Sequence, residues 1–305
     1  MAFVQFVLLQ LAAQDSSVKI LRNDEARFRF DSIQLGFINS GFHVMIGDST
    51  GMDNAANART IENTFIGHKT GSKNQANWNT FLGARAGENN LLGWDNVFIG
   101  TWAGRWDSTG QCNTYVGSAS GSFNKTGWNN TYLGYGTGFQ DSAGRNNVFI
   151  GYLTGWKNTT GRLNAFIGTN AGFSNTSGIE NTYLGTTAGG SNTTGNSNTC
   201  LGRRAGMWNQ TGSGNVFIGY YAGANEMGSN KLYISNSDTI APLIYGEFDN
   251  GLLKLNAETR VVNHDVYITD PAKGVILKSP GGNCWRVRVM DNGTLITEQV
   301  SPCPQ

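Results

Sequence analysis

One pentapeptide pattern, Asn-[Thr/Val/Ala]-aromatic-aliphatic-Gly, begins at Asn63, Asn79, Asn96, Asn113, Asn130, Asn147, Asn164, Asn181, Asn198 and Asn215, with Cys200 in the aromatic place of one copy. The spacing is 16 residues once and then 17 residues eight times. A worn copy precedes the series at His43 to Gly47, and another follows at Asn230 to Ile234. A period this strict restricts the chain to an architecture in which every unit repeats one conformation and stacks on its neighbours.

The columns of the repeat define that conformation. Positions five (Gly67 through Gly219) and nine (Gly71 through Gly223) are glycine in every copy. A third glycine, three residues before the next asparagine, occurs in eight copies, from Gly93 to Gly212. Glycine belongs where φ is positive or backbones approach closely, so each unit holds about three tight bends. Position twelve is Asn or Asp in nine copies, as at Asn74, Asp107 and Asn192, again a turn preference. Three bends in so few residues leave no room for a helix. The fold class is therefore all-β: a parallel β-roll or β-solenoid of about ten 17-residue coils, roughly 48 Å long at about 4.8 Å per coil. The asparagine column is expected to form an amide ladder. All five prolines lie at or beyond Pro242, as expected where each coil must donate its amides to a parallel neighbour.

Alternation along a strand puts positions two and four on one face and position three on the other. Position four is always Ile, Leu or Val, and position three is Phe or Tyr in nine copies, so both faces are apolar. We expect the aliphatic face to line the coil's own core. Left in water, the nine rings at 150–250 Å² each would far exceed a soluble monomer's tolerance. At about 25 cal/mol/Å², each would forfeit a few kcal/mol. The rings are therefore expected to pack against other chains, in a homotrimer with the repeats stacked along its axis.

Composition narrows the function. Lys plus Arg (22) nearly cancels Asp plus Glu (21), which argues against a nucleic-acid partner. Hydrophobic residues at 39% exclude a disordered chain. No apolar run reaches the roughly 18 residues that span a bilayer, so no transmembrane segment is expected. Residues 1–13 resemble the core and cleavage site of a secretory signal ending in Leu11-Ala12-Ala13, although the basic n-region is missing and an apolar element of the mature protein is the alternative. Residues 14–62 read as an N-terminal β cap with the degenerate first coil, 63–225 as the repeat domain, and 226–305 as a small C-terminal β domain. In that last segment Asp265 to Thr269, Gly274 to Lys278 and Cys284 to Val289 alternate like strands. Cys284 and Cys303 flank a short segment and are the disulfide candidate; Cys200 reads as a small core residue.

Asn-Thr-Phe-Ile-Gly (63–67), Asn-Val-Phe-Ile-Gly (96–100) and Asn-Thr-Tyr-Leu-Gly (181–185) resemble the head repeats of trimeric autotransporter adhesins of the YadA type. They are more similar still to the repeats of fibre-like proteins in Bacteroidota and their phages. The resemblance covers about residues 43–234 and implies a fibre or adhesin that contacts a receptor, without catalytic residues. The autotransporter motif has a shorter period and a small residue where this chain has Phe or Tyr. Neither a heptad stalk nor a C-terminal membrane barrel is legible, so direct outer-membrane anchoring is not expected.

Other motifs take plainer readings. Gly47-Asp48-Ser49-Thr50-Gly51 matches a hydrolase nucleophile elbow, but its glycines are columns five and nine of the worn coil. His43, His68 and His264 form no metal spacing or triad, and the first two are expected to face solvent. Aspartates do not follow the pattern of calcium rolls. Glu88, Asp95, Asp107, Asp141 and Glu180 do not gather as the acids of polysaccharide-cleaving solenoids do. Trp106, Trp156 and Trp208, with Phe123, Phe139 and Phe173, read as a further packing column. Trp78, Trp94 and Trp128 precede the repeat asparagine irregularly, where flat rings can stack on sugars; they are the candidate ligand-binding residues, with packing in the turn as the alternative reading. The position-two threonines raise ice binding, set aside because they share a face with the expected aliphatic core. No cofactor or metal is expected. The function expected is a fibre or adhesin presenting loops to a cell-surface glycan or protein receptor, extracellular, at the cell surface or on a virion or injection-particle tail. The alternatives are a solenoid polysaccharide lyase or hydrolase, and a monomeric spacer.

Overall fold

The computed structural model describes residues 33–34, 37–38, 41–51, 61–262, 265–270 and 272–303. The candidate signal segment 1–13 and His264 lie outside the described residues. Two units divide the chain between Asn256 and Ala257. The division falls later than the expected boundary at 226, because the segment after the last glycine coil continues the first unit's sheet.

That first unit is a parallel β-solenoid of about 11 turns, with no helix among the described residues. Each turn contributes one three-residue strand, from Val44–Ile46 and Thr64–Ile66 through Val216–Ile218, and all pair in parallel and in register. Identical columns meet across every pair: Phe81 lies beside Phe98, and Thr131 beside Val148. The strand Lys231–Ile234 adds one more parallel partner. Ile244–Glu247 and Leu252–Leu255 then reverse direction and close that end antiparallel. Ile33–Gln34 does the same at the other end.

The facing of the strands is opposite to the expectation. Every aromatic residue at position three points into its own coil and is shielded from solvent by its own chain: Phe65, Phe98, Tyr132 and Phe166 are all 0% exposed. From Phe65 to Tyr183 the rings form one continuous stack, with centroids 4.7–4.9 Å apart and planes within 13°. Cys200 interrupts it. A Cβ at Gly206 would meet both Cys200 Sγ and Phe217, whereas other second glycines meet only the ring of their own coil, so Phe217 leans into the space the smaller side chain leaves. The aromatic column is thus dry within one chain and supplies no reason for chains to associate. Positions two and four, expected inside, point outward, with Leu82, Leu133, Leu184 and Leu201 more than two-fifths exposed.

Glycine makes this interior possible. A Cβ at Gly104 would lie 2.5 Å from the Phe98 ring, and the same holds coil after coil, so position nine is the flat floor on which the ring lies. Gly100 at position five has φ +130, and a Cβ there would sit 2.6 Å from the carbonyl of Gly117 in the next coil. Side chains cannot occupy either place.

Polar groups finish the interior. From Asn63 to Asn198 each column-one carboxamide oxygen accepts the backbone N–H of the next coil's asparagine, as in Asn96 N–H to Asn79 Oδ1 at 3.0 Å, and Asn215 accepts that of Lys231. From Asn79 on, its Nδ2 donates to a glycine carbonyl of its own coil, as in Asn96 to Gly110 at 2.9 Å, and Asn63 donates to Ala76 instead. The ladder is therefore chiefly side chain to backbone, with the expected amide–amide contacts secondary, as in Asn96 Nδ2 to Asn79 Oδ1 at 3.2 Å. His43, expected in solvent, is buried at column one, where its Nδ1 accepts the Asn63 N–H as an asparagine oxygen would.

The second unit is a three-stranded antiparallel sheet of Val275–Lys278, Cys284–Val289 and Leu295–Val300. A disulfide joins Cys284 to Cys303, with Cα atoms 5.4 Å apart. Glu298 receives both Arg286 and Arg288, at 2.9 and 3.0 Å. Residues 265–270 form no strand, contrary to their alternation, and Val266 and Tyr267 are 72% and 86% exposed.

Candidate functional site

Because the coil interior is filled and hydrogen-bonded, any contact with another molecule falls to outward positions, which form columns about 4.8 Å apart along the stack. Three of these columns carry distinctive chemistry.

The first is the outer face of the sheet. Positions two and four of the ten coils hold Thr, Val, Ala, Ile and Leu and no ionisable side chain. Two residues per strand span about 7 Å, so with side-chain width the strip covers on the order of 500 Å² over ten coils. That is at the upper end of what a soluble monomer displays. Thr64, Thr80, Thr114, Thr131, Thr182 and Thr199 therefore face outward, removing the ground on which ice binding was set aside. Val97, Val148, Ala165 and Val216 still interrupt the column.

The second column precedes the repeat asparagine. Trp78, Trp94 and Trp128 are 48%, 38% and 40% exposed. Trp78 and Trp94 meet edge to face, with centroids 6.3 Å apart. Trp128 stands apart from them in a short parallel ladder of Gln111, Trp128, Arg145 and Arg162. The Arg145 guanidinium lies 5.6 Å from the Trp128 ring. Two of the three tryptophans are thus brought together, and the third has a cation for a neighbour.

The third column follows the second glycine and was expected to be packing. The structure divides it: Trp106, Phe123 and Trp208 are 40%, 41% and 44% exposed, whereas Phe139, Trp156 and Phe173 are half-buried. Phe123 meets Phe139 edge to face at 4.9 Å, and Phe139 stacks on Trp156 at 4.1 Å. Gly136 makes room for the Trp156 ring, because a Cβ there would lie 2.5 Å from it. The sequence signal was present in the recurrence of these rings, but recurrence alone does not distinguish an inner column from an outer one.

The acids do not assemble. Asp107 and Asp141 replace asparagine at position twelve and are fully buried, facing the coil interior. Each accepts the N–H of its third glycine, Gly110 at 2.7 Å and Gly144 at 2.6 Å. Burial pushes the Asp141 carboxyl up to about 7, against the opposing effect of its hydrogen bonds from the Tyr132 hydroxyl and Gly144. Burial raises Asp107 well above the carboxylate range in the same way. It also raises the Cys200 thiol, which is inert by its enclosure. Glu88 is held by Arg105 at 2.8 Å. Ser49 donates to Asp48, and His68 Nδ1 lies 3.3 Å from the same carboxylate. The carboxylate stands between serine and imidazole, which is not the order of a nucleophile, its base and an orienting acid. Among the described residues, no three His, Cys, Asp or Glu side chains gather as a metal site, and no helix is long and apolar enough to cross a membrane.

Compared with family models, curated proteins and solved structures, the chain matches none.

Proposed function

We propose that this chain is a structural fibre or adhesin: a rigid shaft, assembled from three copies, that presents its outward columns to a cell-surface glycan or protein receptor. It acts outside the cell, at the cell surface or on a virion or injection-particle tail. The carrying observation is the outer sheet face, whose twenty column positions hold no ionisable residue over ten coils. Association therefore rests on the aliphatic strip, not on the rings. Three strips facing a common axis would remove their methyl groups from water at about 25 cal/mol/Å². The second unit supports the same reading, since its single-layer sheet leaves Leu277 and Leu295 57% and 67% exposed. The repeat's resemblance to trimeric adhesin heads and fibre proteins agrees with it. Rigidity is the mechanism: ladders hold the outward residues in a fixed array, so weak contacts add by avidity. Trp78, Trp94 and Trp128 are receptor contacts in this scheme.

Native mass measurement tests the proposal. The full chain should run as a three-chain species. Leu133→Lys combined with Ile150→Lys should reduce it to single chains while circular dichroism remains that of a β-solenoid. A wild-type chain that is single at micromolar concentration would refute the fibre.

A further inference from the structure

The fibre reading leaves the chemistry of the receptor open, and the distribution of charge addresses it. The five coils from Asn96 to Glu180 carry five cations, Arg105, Lys125, Arg145, Lys157 and Arg162, and three acids, Asp107, Asp141 and Glu180. Asp107 and Asp141 are 0% exposed inside the coil, whereas Glu180 is exposed at the last position of the fifth. The surface of these coils therefore carries five cations against one acid, although the whole chain is nearly neutral. Lys125, Arg145, Lys157 and Arg162 form no ion pair among the described residues; Arg105 alone is paired, with Glu88.

The same coils carry the aromatic residues after the second glycine, Trp106, Phe123, Phe139, Trp156 and Phe173, of which Phe123, Phe139 and Trp156 are in ring contact along the stack. Cations are interleaved with these rings: Arg105 lies 5.1 Å from the Trp106 ring, and Lys157 lies 5.5 Å from Phe173. Lys125 is exposed two residues after Phe123 in the same coil. Between Lys125 and Lys157 the stack rises two coils, about 9.6 Å. That is close to the length of a disaccharide. Rings pack against the C–H surfaces of sugars, while an ammonium or guanidinium pairs with carboxylates. A linear polymer lying along this column would meet both features at a regular rise.

We propose that the ridge of Trp106, Phe123, Phe139 and Trp156, with Lys125 and Lys157, binds a linear acidic polysaccharide along the axis of the solenoid. The inference rests on the adhesin reading and gives its receptor a chemical class. A single-stranded nucleic acid is the less favoured polyanion. Its bases need ring faces free to stack on, whereas Phe139 and Trp156 already cover one another at 4.1 Å.

Titration calorimetry of the full chain tests this with polygalacturonate oligosaccharides, chondroitin sulfate, neutral dextran and oligothymidylate. Saturable binding of either acidic glycan, at least tenfold tighter than dextran and oligothymidylate, is expected, and the two glycans show whether carboxylate or sulfate is preferred. Phe123→Ala should weaken binding five- to tenfold with the solenoid's circular dichroism unchanged, and Lys157→Gln should weaken it and lower its salt dependence. Tyr220→Ala, at an exposed ring beyond these five coils, should leave it unchanged. The inference is overturned if neither acidic glycan binds, if oligothymidylate binds as well, if Phe123→Ala has no effect, or if Tyr220→Ala abolishes binding. Release of reducing ends by the bound chain would refute the non-enzymatic reading and leave the site standing. A single-chain protein that still binds would refute the trimer alone.

Discussion

Asp141→Asn should stabilise this protein at neutral and alkaline pH and leave it unchanged in acid. In the folded chain the Asp141 carboxyl is buried and titrates at about 7, against 3.8 for the free group. Between those values the unfolded chain has lost a proton that the folded chain keeps. Stability is then fully present below about pH 4, falls as pH rises, and levels off above about pH 7. A difference of about three pH units at 1.36 kcal/mol each amounts to about 4 kcal/mol. Asparagine at the same column does not titrate, and its oxygen still accepts the third-glycine N–H, as Asn124 does from Gly127 at 2.7 Å. It also still offers the Tyr132 hydroxyl an acceptor. Part of the gain is lost because that hydroxyl no longer bonds a charge, leaving an expected 2–4 kcal/mol at pH 8. Urea denaturation of wild type, Asp141→Asn and Asp107→Asn at pH 4 and pH 8 measures it. Equal midpoints at both pH values, or a wild type that gains on the variant as pH rises, would refute the assignment of a destabilising buried acid.

Two further substitutions test the framework. Asn147→Ala removes the acceptor of the Asn164 N–H at 3.0 Å and one of the two donors to the Gly161 carbonyl, which keeps Asn158 Nδ2 at 3.2 Å; one buried N–H without a partner and one lost hydrogen bond should cost about 2–4 kcal/mol, read as a lower urea midpoint and faster amide exchange at Asn164. Leu163 is 48% exposed at a φ of 58, a conformation asparagine tolerates better and Asn146 already adopts one coil earlier, so Leu163→Asn should raise the thermal midpoint, by up to about 1 kcal/mol of stability.

The period, the glycine columns and the asparagine ladder were legible because each is a backbone requirement repeated in register. The direction of the strand was not. With Phe or Tyr at position three and Ile or Leu at position four, alternation allows either face to be the interior, and an area estimate favours hiding the larger side chain without saying where. The missing constraint lay elsewhere in the coil. Position eight is mostly alanine, serine or threonine, and position nine is always glycine. Small residues opposite the strand leave a slot one ring thick, which an aromatic side chain fills and two outward-branching aliphatics would not. Ala103 and Gly104 beside Phe98 show the fit. The aromatic residues after the second glycine were only partly legible for a related reason. Recurrence marks a column but not the way it faces, and Trp106 and Phe123 are exposed where Phe139 and Trp156 are half-buried. In the second unit, residues 265–269 alternate well but lack a partner strand among the described residues, and alternation without a partner makes no sheet.

Turning the strand around changes which residues are free to vary. Once the rings, the column-one asparagines, the small residues at position eight, the position-twelve side chains and three glycines are committed to the interior, a coil keeps positions two, four, six, seven, ten, eleven, thirteen, fourteen, sixteen and seventeen for its surface. Two of these, seven and seventeen, hold mainly non-glycine residues at positive φ, from Lys69 and Trp78 to Arg204 and Tyr221. Each such residue is disfavoured by roughly 1–2 kcal/mol relative to glycine, yet glycine fills these places only at Gly136 and Gly214. Gly136 is the instructive case, because the Trp156 ring occupies the space its side chain would take. Elsewhere side chains are kept at a cost to the fold, at places that project from the stack. Arg204 uses its place to lie 5.1 Å from the Tyr221 ring of the next coil. Trp78 uses its place to meet Trp94. A chain selected only as a spacer would gain stability by putting glycine or asparagine at these turns. Their retention of Trp, Arg, Leu and Glu is consistent with the contact surface proposed above.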